Sequence, residues 1–342
     1  MQRIATLLLA VTLLLACGQQ LQAATPKHLF KVASLAPAGS VWVGQFENFA
    51  KEVTEKTGGE VGFRIYPGGV MGDDQAMFRK MRVGQLHGGG FTMTGMATVV
   101  PDFRILALPS LFSSYEEVDH VIAGLQPTFR ERFHEKELEL IAVTEVGFIY
   151  SMSTRSITTL DELRQSKNWS PSGDPISENY LQNLGITPIQ LSIPDVLPSL
   201  QSGLVETVYN SLYGAIVLQW FTKATHVIDV PYGYAYGAFA LDSKKFSALS
   251  PEQQQIVHQA AATHFPILLA KTRSSNEDSR RVMVQQGINF EKIDDAMLRE
   301  LREKRQQLVE QLIPEAMSQD IYDRTVALLE EFRAKGPAGS GK

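Results

Sequence analysis

The side chains that could do chemistry in this chain are scattered, and none of the compact spacings that reactions require connects them. The seven histidines, among them His87, His226, His258 and His264, form neither H-E-x-x-H nor another close ligand set, so no metal site is expected. No G-x-S-x-G turn exposes a nucleophilic serine, and no G-x-G-x-x-G opens a helix onto a dinucleotide. The acidic neighbours Glu116-Glu117 and Asp294-Asp295 stand in polar, helical surroundings, which predicts solvated helix surface rather than a paired acid and base. Gly336-Pro337-Ala338-Gly339-Ser340-Gly341-Lys342 spells G-x-x-x-x-G-K, but a phosphate loop follows a buried strand, opens a helix and carries Ser or Thr after the lysine. Residues 336–342 are expected to be a flexible tail instead. These absences speak against an enzyme and against a cofactor.

A pocket is then the place to look, and 342 residues suffice for about two domains with a cleft between them. A net charge of −5 with the two signs interspersed leaves no basic patch, so nucleic acid is not an expected partner. Arg3 precedes an uncharged apolar stretch, Ile4 to Ala16, and small and polar residues follow to Ala24. Residues 1–24 read as a signal peptide, too short in their apolar part for a bilayer span of about 20 residues, and place the protein in the periplasm. Cys17 is the only cysteine, so no disulfide is expected. Leu14-Leu15-Ala16-Cys17 resembles a lipobox that would make Cys17 a lipidated first residue, whereas cleavage after Leu21-Gln22-Ala23 would discard it.

The positioning elements are short and alternate in type. His28 to Ala36 reads as a strand ended by Pro37-Ala38-Gly39-Ser40. A helix from Trp42, with Phe46, Phe49, Ala50 and Val53 at helical spacing, stops at Gly58-Gly59, and Val61 to Tyr66 is a second strand. Further strands are expected at Gly90 to Met93, Ile141 to Thr144 and Thr187 to Leu191, which argues for α/β layers. Thr159-x-x-Glu162 and Ser250-Pro251-x-Gln253 have the capping-box spacing, and from Pro251 to about Lys335 the pattern is helical.

Five segments stand in order: Tyr66-Pro67-Gly68-Gly69-Val70-Met71-Gly72, a helix ending Met81-Arg82-Val83-Gly84-Gln85-Leu86, Leu108-Pro109-Ser110-Leu111-Phe112, Arg155 to Leu163, and Leu200 to Glu206 before Asn210. Together they resemble the extracytoplasmic receptors of TRAP transporters, the DctP-like family, in which the segment like Arg155 to Leu163 is an interdomain strand and helix start. The resemblance implies a two-lobed α/β periplasmic binding fold with a mixed sheet in each lobe and a long helix crossing both. It places residues 25–146 and 236–275 in one lobe and 147–235 and 276–335 in the other. It also implies a small-molecule ligand, TRAP membrane permease subunits as partners, and, for one subclass, a tetratricopeptide-repeat periplasmic protein.

Two positions depart from that pattern. Where relatives hold a carboxylate with an arginine, Lys167-Asn168-Trp169-Ser170-Pro171 has Trp169, and the position of a second arginine has Ile149, in Gly147-Phe148-Ile149-Tyr150. Arginine's planar fork donates two parallel bonds to a carboxylate, whereas an indole offers one donor and isoleucine none. The expected ligand is therefore apolar or lacks a carboxylate, in a pocket of Trp169, Ile149, Phe148 and Tyr209 with Asn210 orienting it. Trp42, Thr92 and Phe112 are added from the first lobe by position, and Trp220 is expected in the core. One alternative is an organic acid held by other donors such as Asn210, Arg64 or Arg155, and a second is a cleft enzyme or a binding protein that presents its ligand to a membrane sensor.

Overall fold

The computed structural model describes residues 26–335. The expected signal peptide, the two fates of Cys17 and the tail at 336–342 lie outside the described residues. Strands rich in β-branched and aromatic residues form β1 (His28–Ser34), β2 (Val61–Tyr66), β3 (Gly88–Thr92), β4 (Leu138–Ser153), β5 (Trp169–Pro171), β6 (Ile189–Leu191), β7 (Thr207–Asn210), β8 (His226–Ile228), β9 (Gly233–Asp242) and β10 (Asn289–Glu291). The helices packed on them are α1 (Val41–Lys56), α2 (Asp74–Arg82), α3 (Met93–Ala97), α4 (Tyr115–His134), α5 (Leu160–Arg164), α6 (Pro175–Asn183), α7 (Ile193–Ser202), α8 (Leu212–Val217), α9 (Ser243–Ser247), α10 (Pro251–Gln285), α11 (Asp295–Leu312) and α12 (Gln319–Lys335).

One mixed sheet runs in the order β10-β8-β4-β9-β3-β1-β2, with β7 also paired to β4, and β5 and β6 form a separate parallel pair. The long strands are what make it continuous. β9 pairs with β3 on one side and with β4 from Leu138 to Ile149 on the other, and beyond that stretch β4 turns to β7 and β8. This gives the two-lobed arrangement, with β1, β2 and β3 in one half and β7, β8 and β10 in the other. Core residues follow the halves: Phe30, Phe46, Phe49, Phe239 and Phe265 cluster in the first, and Met152, Trp169, Val208 and Trp220 in the second. α10, with the expected capping box at Ser250 and Gln253, spans 35 residues, roughly 50 Å at 1.5 Å per residue, and reaches both.

The ladder between β4 and β9 carries a bulge: Glu145 faces Tyr236 and Gly147 faces Ala235, leaving Val146 extra. Gly147 has φ of 108°, and a Cβ there would lie 2.7 Å from the Asn276 amide of α10, so the bulge requires glycine. Asn276 locks the site, donating to Val146 O and accepting from Tyr213 N.

Three expectations need correction. β4 ends at Ser153, so Arg155 to Thr159 is the loop into α5 rather than an interdomain strand, and the capping box at Thr159 and Glu162 starts the helix as expected. The stretch after Pro251 is interrupted by β10, which pairs in parallel with β8 and is too short to show a period. Glu117 is buried and not solvated surface, because Arg333 of α12 binds both its carboxylate oxygens, at 2.7 and 3.1 Å.

β3 contains Gly88-Gly89-Gly90 although glycine weakens strands. The reason is close backbone approach: a Cβ on Gly89 would sit 2.2 Å from Ala33 O of β1. Gly89→Ala is expected to lower the unfolding free energy by at least about 2 kcal/mol, measured by urea denaturation. An unchanged midpoint would show that β1 and β3 are not packed this closely.

Candidate functional site

At the C-terminal ends of β3 and β7, where α3 and α8 begin, the two halves enclose a cavity of about 210 Å³. Its wall draws on β4 through Ile149, on β5 through Trp169, on β7 through Tyr209 and Asn210, and on the end of β3 through Thr92. Among the described residues on this wall there is no lysine, arginine or histidine, and there are three aspartates, Asp73, Asp74 and Asp174. Electrostatically the cavity is therefore acidic and otherwise apolar, aromatic or uncharged.

The polar atoms of the expected residues are largely spoken for. Trp169 is buried, donates its indole N–H to Leu191 O at 3.0 Å and meets Trp220 edge-on at 5.3 Å, so it offers a cavity its ring and no hydrogen. The Tyr209 hydroxyl donates to Asn168 Oδ1 at 2.7 Å. Asn210 accepts from Ser211 N through Oδ1, leaving its Nδ2 with no partner among the described residues. Thr92 caps α3 and donates to Asp74 Oδ2 at 2.6 Å. Trp220, expected as core, is core and wall together.

Three expected residues lie elsewhere. Trp42 borders a neighbouring cavity of about 120 Å³, where its indole donates to Glu145 O and its ring meets Tyr213 at 4.9 Å. Phe112 and Phe148 are not on the main wall, because both rings pack on Tyr234, each at 5.8 Å, and Tyr234 is the residue that borders the cavity. Arg64 is exposed on β2, and Arg155 donates to Glu162 O, so neither reaches the cavity wall.

Sequence reasoning missed the wall's tyrosines and acids. Tyr232, Tyr234 and Tyr236 alternate at the start of β9, a period-two signal that was readable. Asp74 follows the Gly-rich turn of residues 67–72 and gave no signal. Burial pushes its carboxyl up to about 6, with only partial relief from the Thr92 hydroxyl and amide. Burial likewise raises Asp174, which caps α6 through Ile176 N and Ser177 N and feels the charge of Arg104.

With this geometry in hand, the chain can be set beside known proteins. The family model described as DctP, bacterial extracellular solute-binding protein, family 7, matches residues 32–315. A solute-binding protein of Chromohalobacter salexigens is 23% identical over 257 residues, covering 73% of this chain and 74% of that protein. The sugar acid binding protein DctPAm of Advenella mimigardefordensis, solved with galactonate, superposes with a TM-score of 0.84 at 18% identity, covering 90% of this chain and 99% of the other. A TRAP periplasmic solute binding protein of Desulfovibrio salexigens, solved with orotic acid, gives 0.82 at 18% identity with coverage of 90% and 99%. At these identities the solved structures show a shared fold. Among the described residues no helix is long and apolar enough to cross a membrane.

The raised carboxyl of Asp74 has a consequence for stability. The folded chain holds this proton more tightly than the unfolded chain, so the stabilisation is complete below about pH 4 and is lost as pH rises through about 6. A rise from 3.8 to about 6 corresponds to on the order of 3 kcal/mol. Asp74→Asn is expected to flatten the fall in urea midpoint over this pH window. A wild-type stability curve that rises over the same window would mean that Asp74 is already ionised in the folded protein.

Proposed function

Because this chain belongs to the bacterial extracellular solute-binding proteins of family 7, whose members are receptors and not enzymes, we propose that it is a TRAP receptor for a small ligand without an ionised carboxylate. In this reading the ligand lies in the cavity between the halves, in contact with Trp169, Ile149, Tyr209 and Asn210. The halves close over it by bending at Val146 and Gly147, where the β4 ladder is already interrupted. A ligand drives such closure only as far as it binds the closed form better than the open one. The protein acts in the periplasm, free or tethered through Cys17, and delivers the ligand to TRAP membrane permease subunits, with a tetratricopeptide-repeat protein as a further partner.

The observation that carries the ligand class is the wall itself. It has no cationic side chain and three aspartates, and the Trp169 indole is bonded within the protein. A carboxylate placed there would meet like charge and lack a strong partner, at a cost of several kcal/mol. Two solved neighbours have acids bound, galactonate and orotic acid. This chain has Trp169 and Ile149 where the family resemblance implies arginines, and Arg64 and Arg155 offer no replacement.

Isothermal titration with galactonate, glucuronate, succinate and a keto acid is expected to give no binding tighter than about 1 mM, while mass spectrometry of the purified protein identifies a ligand without a carboxylate. Trp169→Arg is expected to bring measurable acid binding. Micromolar affinity of the wild type for any of these acids would refute the proposal whatever the variant does.

A further inference from the structure

Five acidic side chains among the described residues are buried: Asp74, Asp102, Glu117, Glu145 and Asp174. Three of them have an ion-pair partner. Arg132 Nε lies 3.2 Å from Asp102, Arg333 Nε 2.7 Å from Glu117, and Arg273 Nη2 2.8 Å from Glu145. The two without an ion-pair partner, Asp74 and Asp174, are both on the wall of the main cavity. The other three buried carboxylates thus follow the ordinary rule that buried charge is paired, and the two that do not are the two on the cavity wall.

The rest of the wall has a complementary character. Six aromatic residues border the cavity, Trp169, Trp220, Tyr209, Tyr232, Tyr234 and Tyr236. Four of their polar ends are turned to protein partners: the Tyr209 hydroxyl to Asn168 Oδ1, the Tyr234 hydroxyl to Glu145 Oε2 at 2.8 Å, the Tyr236 hydroxyl to Phe103 O, and the Trp169 indole to Leu191 O. The rings are left as apolar, electron-rich surface, which attracts a cation through the ring quadrupole.

We propose that this cavity selects an organic ammonium ion, a positive charge on an apolar body, held between the Asp74 and Asp174 carboxylates and the surrounding aromatic rings. The proposal rests on the reading above that the cavity is the ligand site, and it narrows the ligand class. Asp74 on α2 and Asp174 at the start of α6 come from the two halves, whose segments meet here, since the Gln75 amide lies 3.5 Å from where a Cβ on Gly173 would be. A cation between them gains both contacts only when the halves are closed, which is the differential binding that closure requires. Arg104 does not supply the missing charge. Its two terminal nitrogens are bound to Ala316 O and Ala97 O, and its influence reaches Asp174 while the charge acting on Asp74 is that of Asp73.

The test uses three probes of similar shape at neutral pH, phenethylamine, phenethyl alcohol and hydrocinnamate, titrated into the full mature protein by calorimetry. Phenethylamine is expected to bind at least about tenfold tighter than the alcohol, and hydrocinnamate not to bind. In Asp74→Asn the amine should lose at least about tenfold in affinity while the alcohol is unchanged, which shows that the fold is intact. Equal affinity for amine and alcohol would overturn the cation class and leave the carboxylate-free receptor standing. Tightest binding of hydrocinnamate would overturn both readings, and no amine binding below about 1 mM would also sink the ammonium proposal.

Discussion

The antiparallel ladder between β4 and β9 is the interaction on which the other parts depend. It runs from Leu138 to Ile149 on β4 and continues the sheet from β2, β1 and β3 across to β7, β8 and β10. The ladder shifts register at Leu140/Ala142 and again at Glu145/Gly147, and the second shift, at Val146, lies beside the cavity that Val146 helps to line. The same point is gripped from outside, for α10 sends Asn276 to Val146 O and Tyr213 N, and Arg273 to Glu145. Glu145 in turn accepts from the Tyr234 hydroxyl, and its carbonyl accepts from Trp42 of α1. Elements from both halves thus converge on a few residues of β4.

Buried carboxylates are handled in two ways in this molecule, and the contrast separates scaffold from site. Glu145 is held ionisable in the interior by a guanidinium that also binds Asp119, and burial still pulls its carboxyl upward against that help. Such a pair adds little net stability, but removing one partner leaves a costly lone charge, so it fixes which groups face which. Asp74 and Asp174 have only neutral donors, from Thr92, Ile176 and Ser177. Neither has a cation in ion-pair contact, the Arg104 charge only partly offsets the desolvation of Asp174, and that deficit is the proposed recognition element.

Much of the scaffold was legible because it depends on neighbours in sequence. The capping boxes at Thr159 and Ser250, the stop at Gly58-Gly59 and the alternation in Val61 to Tyr66 are local signals, and the elements form within a residue or two of them. Burial that depends on distant partners was not legible. Glu117 reads as surface because Arg333, which neutralises it, lies 216 residues away. Within the site, the resemblance drew attention to Trp169 and Ile149, and both border the cavity. It gave no warning of Asp74, whose place on the wall follows from packing against Gly95 and Thr92, nor that Tyr234 would stand in the position assigned to Phe112 and Phe148. Resemblance points to substituted contacts, and new contacts supplied by other segments appear only in three dimensions.

The central claim is that the guest lies in a cavity walled by aromatic rings and aspartates, with no guanidinium touching it. A crystal structure of the protein purified with its natural ligand tests this most directly. The account predicts density between Asp74, Asp174 and Trp169, with Ile149 in contact and no arginine or lysine within hydrogen-bonding reach of the ligand. Density for a carboxylate clasped by an arginine that has swung into the cavity, or a ligand seated elsewhere on the molecule, would contradict it.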